Sequence, residues 1–354
     1  MKNSSRILSI ILALMLMFSL FSGCSNETSA PANSSAQAST SPDESAQPEQ
    51  SFELVLGGIQ SAEDTATLAM QKMADLVSEK TGGTVTISVF PASQLGDATT
   101  QIEAVGMGSQ DMFVDAGGFQ STFVPDKNAE SMFFVFRDED HYRAYLESDL
   151  NKSMEDEFLA ETGARIIANN WVRVPRCVAS KKPITSLADF SGLKMRAPDI
   201  KAYLDSISAL GASPTQIAWG ETYLALKQGV VDASEGPVDQ LYTMNFYEAT
   251  MNITMTNHLR DDLVVTINDK LFQKMSAGQQ QALIDAANEA GDWYSATCKE
   301  AADKNIELMK QAGCQFYDID IAPLQEAILV KAQELEDAGQ WRSGLIEEIM
   351  AIGK

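Results

Sequence analysis

The residues best suited to chemistry lie in positions 171–199, WVRVPRCVASKKPITSLADFSGLKMRAPD, where arginines punctuate apolar runs. Val172–Ser180 is predicted to be a strand, so Arg176 shares a face with the apolar Val174 and Val178. Arg196 closes a second predicted strand, Leu193–Ala197, just before Pro198, and ligand sites gather at strand ends in open α/β sheets. A guanidinium at such a place suits a carboxylate, because its planar fork offers two parallel hydrogen bonds to the two oxygens. Other candidates lie near predicted strand ends. Gln60 and Asp64 follow the first strand, Asp115 ends another, Asp199 follows Arg196, and Trp171 could supply a stacking wall.

Acid–base catalysis has little to work with. The chain has 2 histidines, His141 and His258, and His258 is expected to be a hydrogen-bonded structural residue. No G-x-S-x-G, H-E-x-x-H or P-loop stretch occurs, and Gly106-Met107-Gly108 sits at a helix end without the third glycine of a dinucleotide site. No catalytic residue, metal-ligand set or cofactor is therefore expected. Beyond Cys24 stand Cys177, Cys298 and Cys314, whose spacing matches no zinc pattern; they are expected to be free buried thiols, with a Cys298–Cys314 pair as the open alternative.

The elements that must position these residues follow from apolar spacing. Phe52–Ile59 reads as a strand, 63–80 as a helix, Val85–Phe90 as a strand, 97–107 as a helix, and Met112 begins a third strand. This β-α-β-α-β opening favours a parallel sheet with helices on its faces. Further strands are predicted at Arg165–Ala168, Val230–Ala233, Asn252–Thr256 and Leu263–Ile267, with helices over 152–162, 200–210 and Glu221–Gln228. Ser276–Gln311 lacks proline and reads as one long helix able to brace two lobes; 321–338 and 343–351 are shorter helices.

Charge and the N-terminus bound the setting. Asp and Glu number 49 against 26 Lys and Arg, so a nucleic-acid partner is not expected. Lys2 and Arg6 precede an apolar run, Ile7–Phe21, and then Ser22-Gly23-Cys24. That order reads as a signal peptide over 1–23. Small residues before a cysteine resemble a bacterial lipobox, with Cys24 the lipidated residue and a two-chain anchor in the membrane. Residues 24–51, rich in Ser, Ala, Pro and Gln, are expected to be a disordered tether.

Several stretches, taken in order, are similar to the solute-binding subunits of tripartite ATP-independent periplasmic (TRAP) transporters, the DctP-like family. They are TGGTVTISVFPASQLGD (81–97), SKKPITSLADFSGLKMRAPD (180–199), LGASPTQIAWGETYLALKQGVVDASEGP (210–237) and FYEATMNITMTNH (246–258). The resemblance spans nearly all of 52–350. It implies a two-lobed α/β periplasmic-binding-protein-like fold with a ligand cleft between the lobes. Lobe one would be 52–173 plus 261–301, and lobe two 174–260 plus 302–354. It implies that Arg196, in Gly192-Leu193-Lys194-Met195-Arg196, binds the ligand carboxylate, that Arg176 (or Arg173) is the second arginine, and that Trp219 lines the pocket. The family's Q-E-N-P is here Ser234-Glu235-Gly236-Pro237, so the asparagine side chain is missing; a bulkier ligand could enter, or Glu235 or the backbone could take its place. The implied activity is capture of a small organic acid outside the cytoplasmic membrane and delivery to integral-membrane TRAP permease subunits driven by an ion gradient. The chain itself is expected to be a monomer and not an enzyme. The same cleft could serve an ATP-driven importer or a membrane sensor, and a lipid-anchored hydrolase is disfavoured by the missing catalytic motifs.

Overall fold

Burial of alternate strand residues and of one helix face organises the chain. In the computed structural model the described residues are 49–354; the expected signal peptide, Cys24 and all but the last residues of the expected tether lie outside them. Among the described residues the strands, in chain order, are β1 (Phe52–Gly58), β2 (Val85–Phe90), β3 (Met112–Ala116), β4 (Ala164–Val172), β5 (Arg176–Ser180), β6 (Lys194–Ala197), β7 (Ser213–Gln216), β8 (Ala233–Pro237), β9 (Asn252–Thr254), β10 (Asp262–Asn268) and β11 (Gln315–Tyr317). They form two sheets, ordered β2-β1-β3-β10-β4 and β11-β9-β5-β8-β6-β7. The fold is two-lobed and α/β.

The opening shows why the first sheet forms. Leu54 and Leu56 alternate on the buried side of β1. The next helix, Thr65–Lys80, buries Ala66, Ala69, Met70, Met73 and Val77, an i, i+3, i+4, i+7 stripe. Asp64 caps it, accepting from the Ala66 N–H at 2.9 Å. β1 then pairs in parallel with both β2 and β3.

Each sheet contains one strand that runs against its neighbours. β10 is antiparallel to β3 and β4, and β5 is antiparallel to β8 and β9. Both arrive from the other sheet. The chain crosses at Arg173–Pro175, from β4 to β5, and returns at 255–261, from β9 to β10. A third passage is the long helix Ala277–Gln311, opened by a Ser276–Gln279 capping box, which leads on to β11. Its interior Gly291 is required by close approach to β4: a Cβ there would lie 2.2 Å from Asn170 Oδ1 and 2.4 Å from Trp171 Cδ1. The last helix, Leu345–Ala351, is held from the first-sheet side: Arg137 donates to the Met350 carbonyl at 2.7 Å, and His141 Nε2 meets the Ile349 carbonyl at 2.8 Å.

Several predicted boundaries move. The strand predicted over Val172–Ser180 is broken at 173–175, where Pro175 cannot donate to a ladder and the chain changes sheet. The strand predicted over Val230–Ala233 lies later, as β8, so Glu235 and Gly236 are strand residues. β7, β11 and the short helices Glu139–Leu146 and Val238–Thr243 were not predicted. Cys177, Cys298 and Cys314 are buried and unpaired.

Candidate ligand-binding site

Strand ends from the two sheets meet around a cavity of about 30 Å³. Gln60 reaches it from the end of β1, Asp115 from β3, Arg176 from the start of β5, Arg196 from β6, Arg173 from the crossing and Trp219 from the loop after β7. A space of that size holds a water or two, whereas organic-ligand sites run to about 300–1,000 Å³. The inner end of the cleft is therefore nearly closed. A second cavity, about 420 Å³, adjoins it and shares Ile59, Phe119, Arg196, Pro198 and Trp219 as walls. Contacts across the cleft support closure: Asp64, after β1, accepts from Gln240 Nε2 at 3.2 Å and Thr243 Oγ1 at 2.8 Å.

The three arginines differ in what neutralises them. Arg176 is gripped by Glu235, with Nη2 donating to Oε1 at 2.7 Å and Nε bonded to Oε2, and its Nη1 donates to Asp261 Oδ2 at 3.1 Å. Burial works to raise the pKa of Glu235, but the Arg176 charge and hydrogen bonds, with a contribution from His258, together outweigh it and hold that carboxyl well below the usual range. Burial likewise opposes the Arg176 charge, and Glu235 more than restores it. Arg173 donates to the same Asp261 Oδ2 at 3.0 Å and to Gln240 Oε1 at 2.5 Å.

Arg196 has no carboxylate partner among the described residues. Its Nε donates to the Ile217 carbonyl at 2.8 Å, and its guanidinium carbon lies 5.1 Å from the centre of the Trp219 ring. It is only 3% exposed. Burial accordingly pushes its pKa down to about 10, with Glu235 partly opposing the shift. A buried cation without a counter-charge costs several kcal/mol, which an arriving anion would offset. Four further polar atoms of the cavity walls are buried without partners: Gln60 Oε1, Asp115 Oδ2, Arg173 Nε and Trp219 Nε1. Each such group costs about 1–3 kcal/mol until something meets it. Burial raises the Asp115 pKa to about 6, against hydrogen bonds from the Ala116 N–H and Gln60.

Of the residues singled out in the sequence, Arg176, Arg196, Trp219, Gln60, Asp115 and Arg173 share the inner cavity. Asp199 lies in the wall of the outer cavity, exposed and bonded to Gln216. Glu235 is committed to Arg176 and is no wall of either cavity. Trp171 is not at the site. It is fully buried against the long helix, its indole N–H donating to the Ala287 carbonyl at 2.9 Å, because β4 turns that face toward the helix. Gly236 leaves no opening for a larger ligand either: a Cβ there would lie 2.9 Å from Trp219 Cη2, so the indole already fills that space. His258 is structural in setting, its Nδ1 2.7 Å from Thr256 Oγ1 and its ring 4.3 Å from that of Phe133. Sequence reasoning passed over Asp261, Gln240 and Tyr203. None carried a local signal; Asp261 matters through the chain crossing, Gln240 through the helix Val238–Thr243, and Tyr203 through the helix Lys201–Ala209.

Two lobes, two crossings and a buried arginine facing the cleft define a binding protein that closes over a ligand. The family model of the bacterial extracellular solute-binding proteins, family 7, matches residues 56–337, and the chain belongs to that family. It is a solute-binding protein of the TRAP type. Among its relatives is the sialic acid-binding periplasmic protein of Vibrio cholerae, 31% identical over 272 residues, covering 77% of this chain and 84% of that one. Another is the 2,3-diketo-L-gulonate-binding periplasmic protein of Escherichia coli, 30% identical over 276 residues, 76% of this chain and 82% of that one. In structure, a TRAP periplasmic solute-binding protein of Roseobacter denitrificans with bound β-D-glucuronate superposes with a TM-score of 0.80 at 27% identity, over 85% of this chain and 100% of that one. One from Desulfovibrio salexigens with bound orotic acid gives 0.79 at 28%, over 85% and 99%. The family is extracytoplasmic, and among the described residues no helix is long and apolar enough to cross a membrane.

Proposed function

We propose that this chain captures a small organic acid on the outer side of the cytoplasmic membrane and passes it to TRAP permease subunits in the membrane. The observation that carries this reading is Arg196, a buried guanidinium on a strand end with no carboxylate partner among the described residues, lining the cleft. The ligand's carboxylate docks there, and the remainder lies toward Gln60 and Asp115. Those two present unpartnered acceptor atoms, which call for hydroxyl or N–H donors on the ligand. A polyhydroxy acid supplies both ends, and relatives at comparable identity hold β-D-glucuronate and β-D-galacturonate. Isothermal titration of the purified chain against D-glucuronate, D-galacturonate, D-erythronate, orotate and succinate tests this. Binding of at least one hydroxy acid, abolished in Arg196→Ala, is expected. Equal affinity in parent and Arg196→Ala would overturn it.

The same reading places the molecule on a lipid anchor at Cys24, with residues 24–51 as the tether, as a monomer that performs no chemistry on its cargo. What supports the last point is that His141 and His258 each hold a buried hydrogen bond, to the Ile349 carbonyl and to Thr256, and neither lines the inner cavity. The lobes are assigned as 52–173 plus 261–301 and 174–260 plus 302–354; the change of sheet at Arg173–Pro175 and at 255–261 supports those divisions. Labelling with a radioactive fatty acid, lost in Cys24→Ser, is the test of the anchor.

A further inference from the structure

We propose that Trp219 is a hydrogen-bond donor to the bound acid, and that Gly236 is the residue that makes it one. This rests on the reading that a carboxylate docks at Arg196. Gly236 lies in the middle of β8, paired with Cys177 of β5, in ordinary extended backbone where glycine is not needed for its dihedral freedom. What requires glycine is the neighbour. A Cβ at 236 would stand 2.9 Å from Trp219 Cη2, 3.6 Å from Cζ3 and 3.3 Å from Leu241 Cδ2. The benzo edge of the indole thus rests on the bare backbone of β8. Covalent geometry then puts the pyrrole N–H at the opposite end of the ring, away from that strand.

That N–H is buried and has no acceptor among the described residues, although the residue is only 6% exposed and lines both cavities. The ring cannot drift away from the cleft. Phe246 meets it edge-on at 4.8 Å, and the Arg196 guanidinium lies over it at 5.1 Å. The indole and the terminal nitrogens of Arg196 therefore form one anchor made of donors alone, with no acceptor partners for those atoms among the described residues. Such an anchor selects a group that only accepts, namely an ionised carboxylate. A primary carboxamide of the same shape turns an NH2 toward donors and is rejected, beyond its loss of charge.

The test uses the mature chain and whichever of D-glucuronate, D-galacturonate, D-erythronate or orotate binds it. Trp219→Phe keeps an aromatic face over Arg196 but removes the N–H, and affinity is expected to fall roughly 10- to 100-fold, as for loss of a hydrogen bond to a charged group. Gly236→Ala displaces the ring and should weaken binding in the same direction. A direct readout guards against a merely structural effect: the ¹⁵N indole resonance assigned to Trp219 by its absence in Trp219→Phe. It should shift and become protected from exchange with the acid and not with the matching carboxamide. If the acid binds, Arg196→Ala abolishes binding, and yet Trp219→Phe binds like the parent or the indole resonance stays put, the inference is overturned while carboxylate capture stands. If none of these acids binds the parent chain, both are overturned.

Discussion

Arg176 and Arg196 look interchangeable in the sequence, both on short strands, both near one cavity, yet they have opposite electrostatic settings. Arg176 spends its fork on Glu235 across the β5–β8 ladder and reaches Asp261 at the return crossing. Arg196 spends one nitrogen on a carbonyl and leaves the rest to the cleft. The first arginine ties together the segments where the chain changes sheet; the second has no carboxylate partner among the described residues, as the proposed capture of an acid requires. The difference teaches that residue type does not separate a structural cation from a binding one. What separates them is whether the fold supplies the counter-charge.

The comparison can be broken at Arg176 first. Removing one member of a buried pair leaves the other charge unpaired, so Arg176→Ala or Glu235→Ala should each lower unfolding stability by about 3–5 kcal/mol in urea titrations. The double variant should lose less than the sum, because neither charge is then stranded. If Arg176→Ala unfolds like the parent, the structural assignment is wrong. Arg196→Met should do the reverse. Stability is unchanged or raised, since an uncompensated buried charge is gone, while acid affinity falls by about 2–5 kcal/mol in titration calorimetry.

A smaller effect should appear with pH, through Asp115 on the opposite wall. Its pKa, ordinarily 3.8, is raised by burial to about 6, with Arg173 and Gln60 acting against the rise and Asp261 adding to it. The folded protein therefore favours the protonated form. That contribution is whole below about pH 4 and is lost as pH rises through about 6. An anionic ligand favours the neutral carboxyl, and a ligand hydroxyl can accept from its O–H as well as donate to the ionised form, so affinity should fall by up to about tenfold between pH 5 and pH 7. Asp115→Asn should flatten the profile; an unchanged slope would remove Asp115 from the site. A perturbation of similar or smaller size is Thr243→Ala, which deletes one donor to Asp64 across the cleft and should cost about 0.5–1.5 kcal/mol of stability, read as a lowered melting temperature.

Much of this was legible in the sequence where periodicity is strong. The helix stripe at 66–77, the strands β1 to β3 and the long helix follow from apolar spacing alone, and Arg196 from its place at a strand end. The family resemblance supplied the two-lobed fold. Other features depended on partners far away in the chain. Glu235 lies beyond the strand predicted to end at Ala233, and its partner Arg176 stands 59 residues earlier, so its place as a buried strand residue has no local signal. Trp171 and Trp219 are equally aromatic in sequence. Which of them meets the cleft is set by Gly291 in one case, drawing the helix onto β4, and Gly236 in the other. β7, with Pro214 inside it and no apolar alternation, is a strand because β6 offers it an edge.

The place of β10 between β3 and β4 has a consequence for biogenesis. β4 has no partner in its own sheet until residues 262–268 have emerged, roughly a hundred positions later, and the intervening stretch belongs to the other sheet. Neither sheet is complete until its late strand, β10 in one and β11 in the other, has been made. Pairings over such separations slow folding. Cutting it at residue 172 to express the front half alone should yield an insoluble product, not a miniature of the parent.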